Sequence, residues 1–201
     1  MESSCKHGTD NCPPMCNIEP IPDTVLPPPY DDYYLSSLVP GDLPYLIDIY
    51  NNSDLAFILL GPPYPYTQED AQSFYDSRAH TRFPNYPGAQ EVWVIRSKLH
   101  DGALIGMCGS HPAQSETRFS LGYFLVPEFR GKGIMPIVAA EVLKKFPGAL
   151  FRAEAEAGNI GSQKVLEKCG FRKVEDGEYE VTWPASKGGG VRQIFTFAKK
   201  C

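Results

Sequence analysis

The sequence predicts an α/β domain of the mixed (α+β) kind, a central twisted mixed β-sheet of about six to seven strands with helices on both faces. Two observations carry this. Several short segments alternate apolar and polar residues with period two, whereas others place apolar residues at helical spacing. The segments also run in the order strand, two helices, three strands, helix, strand, helix, two strands.

A chain of 201 residues supports one substantial core, so one domain is expected. Residues 1–31 contain CPPMC and LPPPY with little periodicity and read as a proline-rich arm, either wrapped on the domain or loose. The domain itself is placed at residues 32–201. It opens with YYLSSL as a strand, then a helix capped by Asp42 that carries Leu43, Leu46, Ile47 and Tyr50 on one side. GPPYPY is an aromatic loop. The following T-Q-E-D starts a second helix at Thr67 with a capping box, Asp70 standing where Glu is preferred.

EVWVIRSK and ALIGMCGS form a hairpin across a turn at Asp101-Gly102, and RFSLGYFLV is the next strand. From Met135 the apolar residues at 135, 138, 139, 142, 143 and 146 make a helical stripe, with Pro136 tolerated in the first turn. ALFRAEAEA alternates over nine residues, which sets Glu154 and Glu156 on one face of a strand. NIGSQKVLEKCGF is a short helix capped by Asn159 and ended by Gly170. EYEVTW and QIFTFA close the chain as two strands joined by the glycine-rich PASKGGG, a mobile connection.

A net charge of -5 with 21% charged residues argues against nucleic acid as a partner. No apolar run approaches the roughly 20 residues of a membrane helix, and MESSCKHGTD lacks the order of a signal peptide. A soluble cytoplasmic protein, monomer or homodimer, is expected, with no membrane partner. The six cysteines do not make a disulfide scaffold, and Cys5, Cys12 and Cys16 with His7 have no matching second pair, so no metal is expected.

The segment EFRGKGIM, at 128–135, places two glycines beside Arg130 and Lys132 between a strand and a helix. Glycine there lets a ligand approach the backbone, the helix start exposes unpaired N–H groups, and the dipole and side chains add positive charge. Either the corner holds a phosphate or pyrophosphate, or its glycines serve strand-to-helix packing.

LGYFLVPEFRGKGIM, followed after one helix and one strand by AEAEAGNIGSQKVLEKCGF, resembles the GNAT acetyltransferases, and most closely their RimJ/RimL branch of ribosomal-protein N-terminal acetyltransferases. The resemblance spans about residues 32–199 and implies a sheet that is mostly antiparallel with a splayed parallel pair. It implies acetyl-CoA as cosubstrate, its pyrophosphate on Arg130, Gly131, Lys132, Gly133, Ile134 and Met135. Met135 departs from the family's small residue and agrees with the branch. By the same likeness Leu125 and Val126 contact the thioester end, with unpaired amides near Val126 as oxyanion donors. Asn159 touches the pantetheine arm and Ser162 points at the sulfur. The tyrosine acid of many relatives is replaced by Leu166, so Ser162 is the candidate acid or else only a helix-terminal cap.

The implied reaction is transfer of acetyl to a primary amine by direct attack. The ammonium must first lose a proton, and Glu154, then Glu156, are the candidate bases; the competing reading pairs these glutamates with Arg152 and its neighbours on a solvated face. Glu116 is a loop outsider and Cys169 a buried helix residue; His111 follows a strand that could approach the cleft, but a surface histidine is the favoured reading. Tyr30, Tyr33, Tyr34, Tyr64 and Tyr66 with Asp31 and Asp32 either line the acceptor mouth or pack at loop ends. The acceptor is a protein or peptide α-amine; the alternatives are a polyamine or other small amine, or a silent acetyl-CoA-binding module.

Overall fold

The computed structural model describes residues 21–113 and 115–201; the expectations for Cys5, His7, Cys12 and Cys16 lie outside these residues. The chain runs through β1 (Thr24–Val25), β2 (Tyr33–Ser36), α1 (Leu43–Asn51), α2 (Ser53–Ala56), α3 (Gln68–Arg78), β3 (Val92–Ser97), β4 (Ala103–Ala113) and β5 (Ser115–Leu125). It continues with α4 (Ile134–Leu143), β6 (Leu150–Glu156), α5 (Ile160–Lys168), β7 (Arg172–Thr182) and β8 (Val191–Lys200). Among the described residues the strands form one eight-stranded sheet in the order β1-β2-β3-β4-β5-β6-β8-β7, in which only β5 and β6 pair parallel.

The extra strand is β1, where Thr24 and Val25 pair with Leu35 and Tyr34. Two residues flanked by prolines leave no readable alternation. The described end of the proline-rich arm is therefore docked, and Leu26 is 1% exposed.

Each face of the sheet covers its own core. Phe119, Phe151, Phe197 and Trp93 meet Val138, Val142 and Phe146 of the α4 segment on one side. Val92, Val94, Met107 and Phe124 meet Leu43, Leu46 and Tyr50 of α1, with Ala71 of α3, on the other. Helix α4 buries Met135, Val138, Ala139, Val142 and Leu143, the expected stripe.

Local chemistry explains most termini. The Thr67 hydroxyl accepts from Asp70 N at 3.2 Å while the Asp70 carboxylate accepts from Thr67 N at 2.8 Å, a closed capping box. Asn159 accepts from Ser162 N at 3.0 Å, and Gly170, at φ 80°, ends α5. Asp42 does not cap α1. Its carboxylate accepts from Val39 N and from Arg96 Nη2, both within 2.9 Å, so a buried ion pair took the group that the helix start had no need of.

The connection from β7 to β8 is pinned, where the sequence suggested mobility. Lys187, 2% exposed, donates to the carbonyls of Leu59, Leu60 and Pro62. Trp183 Nε1 and Arg192 Nη1 donate to Phe57 O at 3.1 and 3.0 Å. A buried ammonium is tolerated only with such partners, and these fix the loop at residues 57–62. Among the described residues, no helix is long and apolar enough to cross a membrane.

Candidate active site

Strands β5 and β6 pair only at Arg118, Phe119 and Ser120 with Leu150, Phe151 and Arg152, then diverge. Beyond Ser120, β5 keeps its antiparallel partner β4 on one side and loses β6 on the other. Val126 N donates to Ile105 O at 2.9 Å, which fixes the phase of the ladder. By antiparallel alternation the N–H and C=O groups of Leu121, Tyr123 and Leu125 face the opening. The Val126 amide itself is thus paired, and the backbone groups near it that face the opening are those of Tyr123 and Leu125.

The opened edge ends on the glycine corner. Gly131 and Gly133 have φ of 75° and 78°, a left-handed region that side chains disfavour. Gly133 precedes α4, which begins without a side-chain cap and so leaves its first N–H groups unpaired. A Cβ on Gly131 would enter open space, and one on Gly133 would come within 2.5 Å of Tyr30 Oη. The Arg130 Nε donates to Leu125 O at 2.8 Å, which ties the corner to the strand end, while Lys132 is exposed with its Nζ 5.1 Å from the Phe129 ring centroid. Arg130, Gly131, Met135, Asn159 and Ser162 line a pocket of about 230 Å³ that runs from this corner to Tyr123. The open edge, the left-handed glycines and the uncapped helix fit an extended pyrophosphate-bearing chain such as CoA.

At the other end of that pocket the Ser162 hydroxyl lies 3.0 Å from the Tyr123 phenol, which also donates to Ser162 O at 3.1 Å. Burial pushes the phenol far above its ordinary range, so it carries its proton at neutral pH. Tyr123 was not singled out in the sequence, where it is one aromatic in an alternating strand. Leu166, at the position of the missing tyrosine, is fully buried.

On the opposite face, Glu154 and Glu156 project from β6, but their situations differ. Glu156, the second candidate base, already has a cationic partner in Arg192 at 3.1 Å. Glu154 has no cationic partner within 4 Å among the described residues and lines a pocket with Tyr123, Ser162 and Tyr179. Burial and the neighbouring Glu154 carboxylate push the Tyr179 phenol well up. Glu116 is remote from this centre and accepts from Asn85 at 3.0 Å. Cys169 is buried, its thiol raised by burial and donating to Pro136 O.

A larger pocket of about 480 Å³ lies over the sheet between residues 59–63 and α3, with Tyr50, Tyr66, Phe74 and Phe124 in its wall. Of the expected mouth residues only Tyr66 is there. Tyr64 packs edge-on to Phe57, Tyr30 reaches Gly133, Tyr33 packs on Phe129, and Tyr34 Oη approaches Gly102. His111, expected at the surface, lines this pocket beside Arg78.

A family model for the acetyltransferase (GNAT) domain matches residues 33–172. The chain belongs to the GNAT acetyltransferase family. It is accordingly an acyltransferase that uses acetyl-CoA and transfers acetyl to nitrogen. No curated protein matches it in sequence. Among solved structures, GNAT neighbours include spermidine N-acetyltransferase from Vibrio cholerae in complex with CoA and spermine, at 16% identity and TM-score 0.68 over 84% of this chain and 95% of that one. Another is the ribosomal-protein-S5-alanine acetyltransferase of Vibrio fischeri, at 18% identity and TM-score 0.62 over 84% and 93%. A third is RimL, the ribosomal L7/L12 alpha-N-protein acetyltransferase in complex with CoA, at 15% identity and TM-score 0.65 over 90% and 98%.

Proposed function

We propose that this GNAT acetyltransferase acts on the N-terminal α-amine of a protein or peptide, as in the RimJ/RimL branch. The observation that carries the reading is the charge balance around the acceptor side. A polyamine calls for negative charge repeated along its length, yet most carboxylates here are already engaged. Glu91 meets Arg78, Glu156 meets Arg192, and Asp70 closes the α3 cap. Glu154 remains, enough for one ammonium group. The aromatic pocket of about 480 Å³ suits the side chain of a terminal residue.

Acetyl-CoA supplies the activated acetyl thioester. Backbone N–H groups from Gly131 to Met135 receive its pyrophosphate, and Lys132 adds charge from the rim. The Leu125 and Tyr123 edge holds the pantetheine end, with Asn159 beside it. The amides of Tyr123 and Leu125 face the place where negative charge develops on the thioester oxygen. Glu154 draws the ammonium group into the opening, and Ser162, backed by the Tyr123 phenol, returns a proton to the departing thiolate.

The test is release of free thiol from acetyl-CoA with two sets of acceptors, short peptides with varied first residues and the polyamines spermidine and spermine. Faster turnover of peptides, with an acetyl group found on the α-nitrogen by mass spectrometry, is the expected result. Preference for polyamines would replace the substrate assignment. Tight CoA binding with no turnover of any amine would make the protein a silent acetyl-CoA module.

A further inference from the structure

One cluster on the acceptor side is left unused by these roles. Glu91, 5% exposed just before β3, has its Oε1 2.8 Å from His111 Nδ1 and in contact with Arg78 Nη1. Burial pushes the Glu91 carboxyl up, but hydrogen bonds from His111 and Thr81 and the charge of Arg78 outweigh it and hold the group below the usual range. Glu91 is therefore an anion, and an anion beside Nδ1 requires a proton there. Arg78 Nη1 also lies 2.8 Å from Nδ1, but both are donors, and Oε1 is the acceptor they share. The contact with the Glu91 carboxylate favours the tautomer with the proton on Nδ1 and the lone pair on Nε2.

The position of Nε2 follows from two glycines. Gly109 of β4 and Gly122 of β5 face each other in register, and His111 stands two residues along β4 on the same face. A Cβ on Gly109 would lie 2.9 Å from Nε2, and one on Gly122 3.9 Å from it. The ring thus lies over Gly109, where a side chain would collide with it, and within van der Waals reach of Gly122. Gly109, Gly122 and His111 line the aromatic pocket, and a second cavity of about 550 Å³ joins His111 and Gly122 to Glu154.

We infer that His111 Nε2 is the group that takes the proton from the acceptor ammonium, and that Glu91 is a positioning residue that fixes its tautomer. This rests on the N-acetyltransferase reading above and divides the labour within it. A carboxylate alone next to an ammonium stabilises the charged form, which opposes attack, whereas an imidazole is closer to an α-amine in proton affinity. Glu154 gathers the cation and His111 discharges it. The N–H bond breaks, its electron pair stays on nitrogen and becomes the nucleophile, and the proton moves to Nε2 and then to solvent. Of the three ammonium protons, one remains on the amide, one replaces that which Ser162 gives to the thiolate, and one is released. Arg78 from α3 and Glu91 touch the imidazole, and the other charged groups lining its two cavities are Asp70 from α3, Arg118 from β5, and Arg152 and Glu154 from β6.

Four measurements test it on the full chain. With a peptide acceptor, His111→Gln should lower kcat about 10²-fold at neutral pH with little change in KM, and the deficit should shrink as the pH rises and the amine loses its proton unaided. Glu154→Gln should act mainly on KM. Added imidazole should restore turnover to His111→Ala. Independently of turnover, nitrogen-15 NMR of the histidine rings should find the Nδ1–H tautomer in the wild type and lose that preference in Glu91→Gln. An active wild type with a His111→Gln variant of the same kcat and pH profile would overturn this inference alone, as would an Nε2–H tautomer. A wild type inert toward every amine would overturn the transferase reading and this one with it.

Discussion

The Tyr123 phenol and the Ser162 hydroxyl are 3.0 Å apart, one on the splayed strand and the other in the first turn of α5. In the proposed reaction they form a short proton chain beside the departing thiolate. If Ser162 is the proton donor proposed above, Ser162→Ala should lower kcat about 10²-fold and leave CoA affinity almost unchanged, because the hydroxyl would act on the departing thiolate. Tyr123→Phe should produce a similar loss. If the two work as one unit, the double variant should be hardly worse than the poorer single one. Multiplied losses in steady-state kinetics would show two independent functions.

The glycine corner should be more sensitive to shape than to charge. Gly133→Val meets two obstacles, a left-handed φ of 78° and a Cβ 2.5 Å from Tyr30 Oη. Strain of this kind costs about 1–3 kcal/mol, so CoA affinity measured by calorimetry should fall by roughly tenfold or more. Lys132→Ala removes one exposed charge that salt already screens, and its effect should stay below about fivefold. The reverse order would move the pyrophosphate off the backbone.

Legibility in the sequence followed the range of the interactions. The glycine corner, the α4 stripe, the alternation of β6 and the Asn159 cap depend on neighbours within a few residues, so their patterns are visible in the chain. The docked β1 depends on pairing with β2, and the four-residue α2 on Asn52, whose side chain accepts from Asp54 N; neither is long enough to show a period. His111 and Glu91 lie 20 residues apart and meet only because a bent β3–β4 pair and α3 converge, while Lys187 reaches back more than 120 residues. Single polar residues in such positions look like surface residues until the fold supplies their partners.

Lys187 should couple stability to acceptor binding. Lys187→Ala leaves three carbonyls without their donor and frees the loop at residues 57–62, which walls the aromatic pocket. A loss of about 1–3 kcal/mol in denaturant unfolding is expected, together with a raised KM for the peptide and an unchanged affinity for CoA. An unchanged KM would mean that the loop holds its place without the clamp.

Truncation should separate the two parts of the proline-rich arm. Removal of residues 1–20 should leave Tm and CoA affinity nearly as they are, since β1, Leu26 and Tyr30 all remain. Removal of residues 1–31 takes away the edge strand and the buried Leu26, worth about 2–3 kcal/mol by itself, and with it the phenol beside Gly133. Tm should then drop by more than about 5 °C. Equal melting of the two truncations would show that the docked segment contributes nothing to the fold.

Acid stability should report on Glu91. Its carboxyl is held below the usual range in the folded protein, so ionised Glu91 contributes stability that is fully present above the unfolded value of about 4.3 and is lost as pH falls through the lower folded value. Glu91→Gln cannot ionise and leaves Arg78 without its partner, at a cost of about 1–3 kcal/mol at neutral pH. Urea unfolding at several pH values should give a constant gap between wild type and variant from pH 7 to about 5, and a narrowing gap below about 4.3. A gap that stays constant down to pH 3 would mean that Glu91 binds its proton equally well in the folded and the unfolded chain, so that its contacts with Arg78 and His111 do not favour its ionised form.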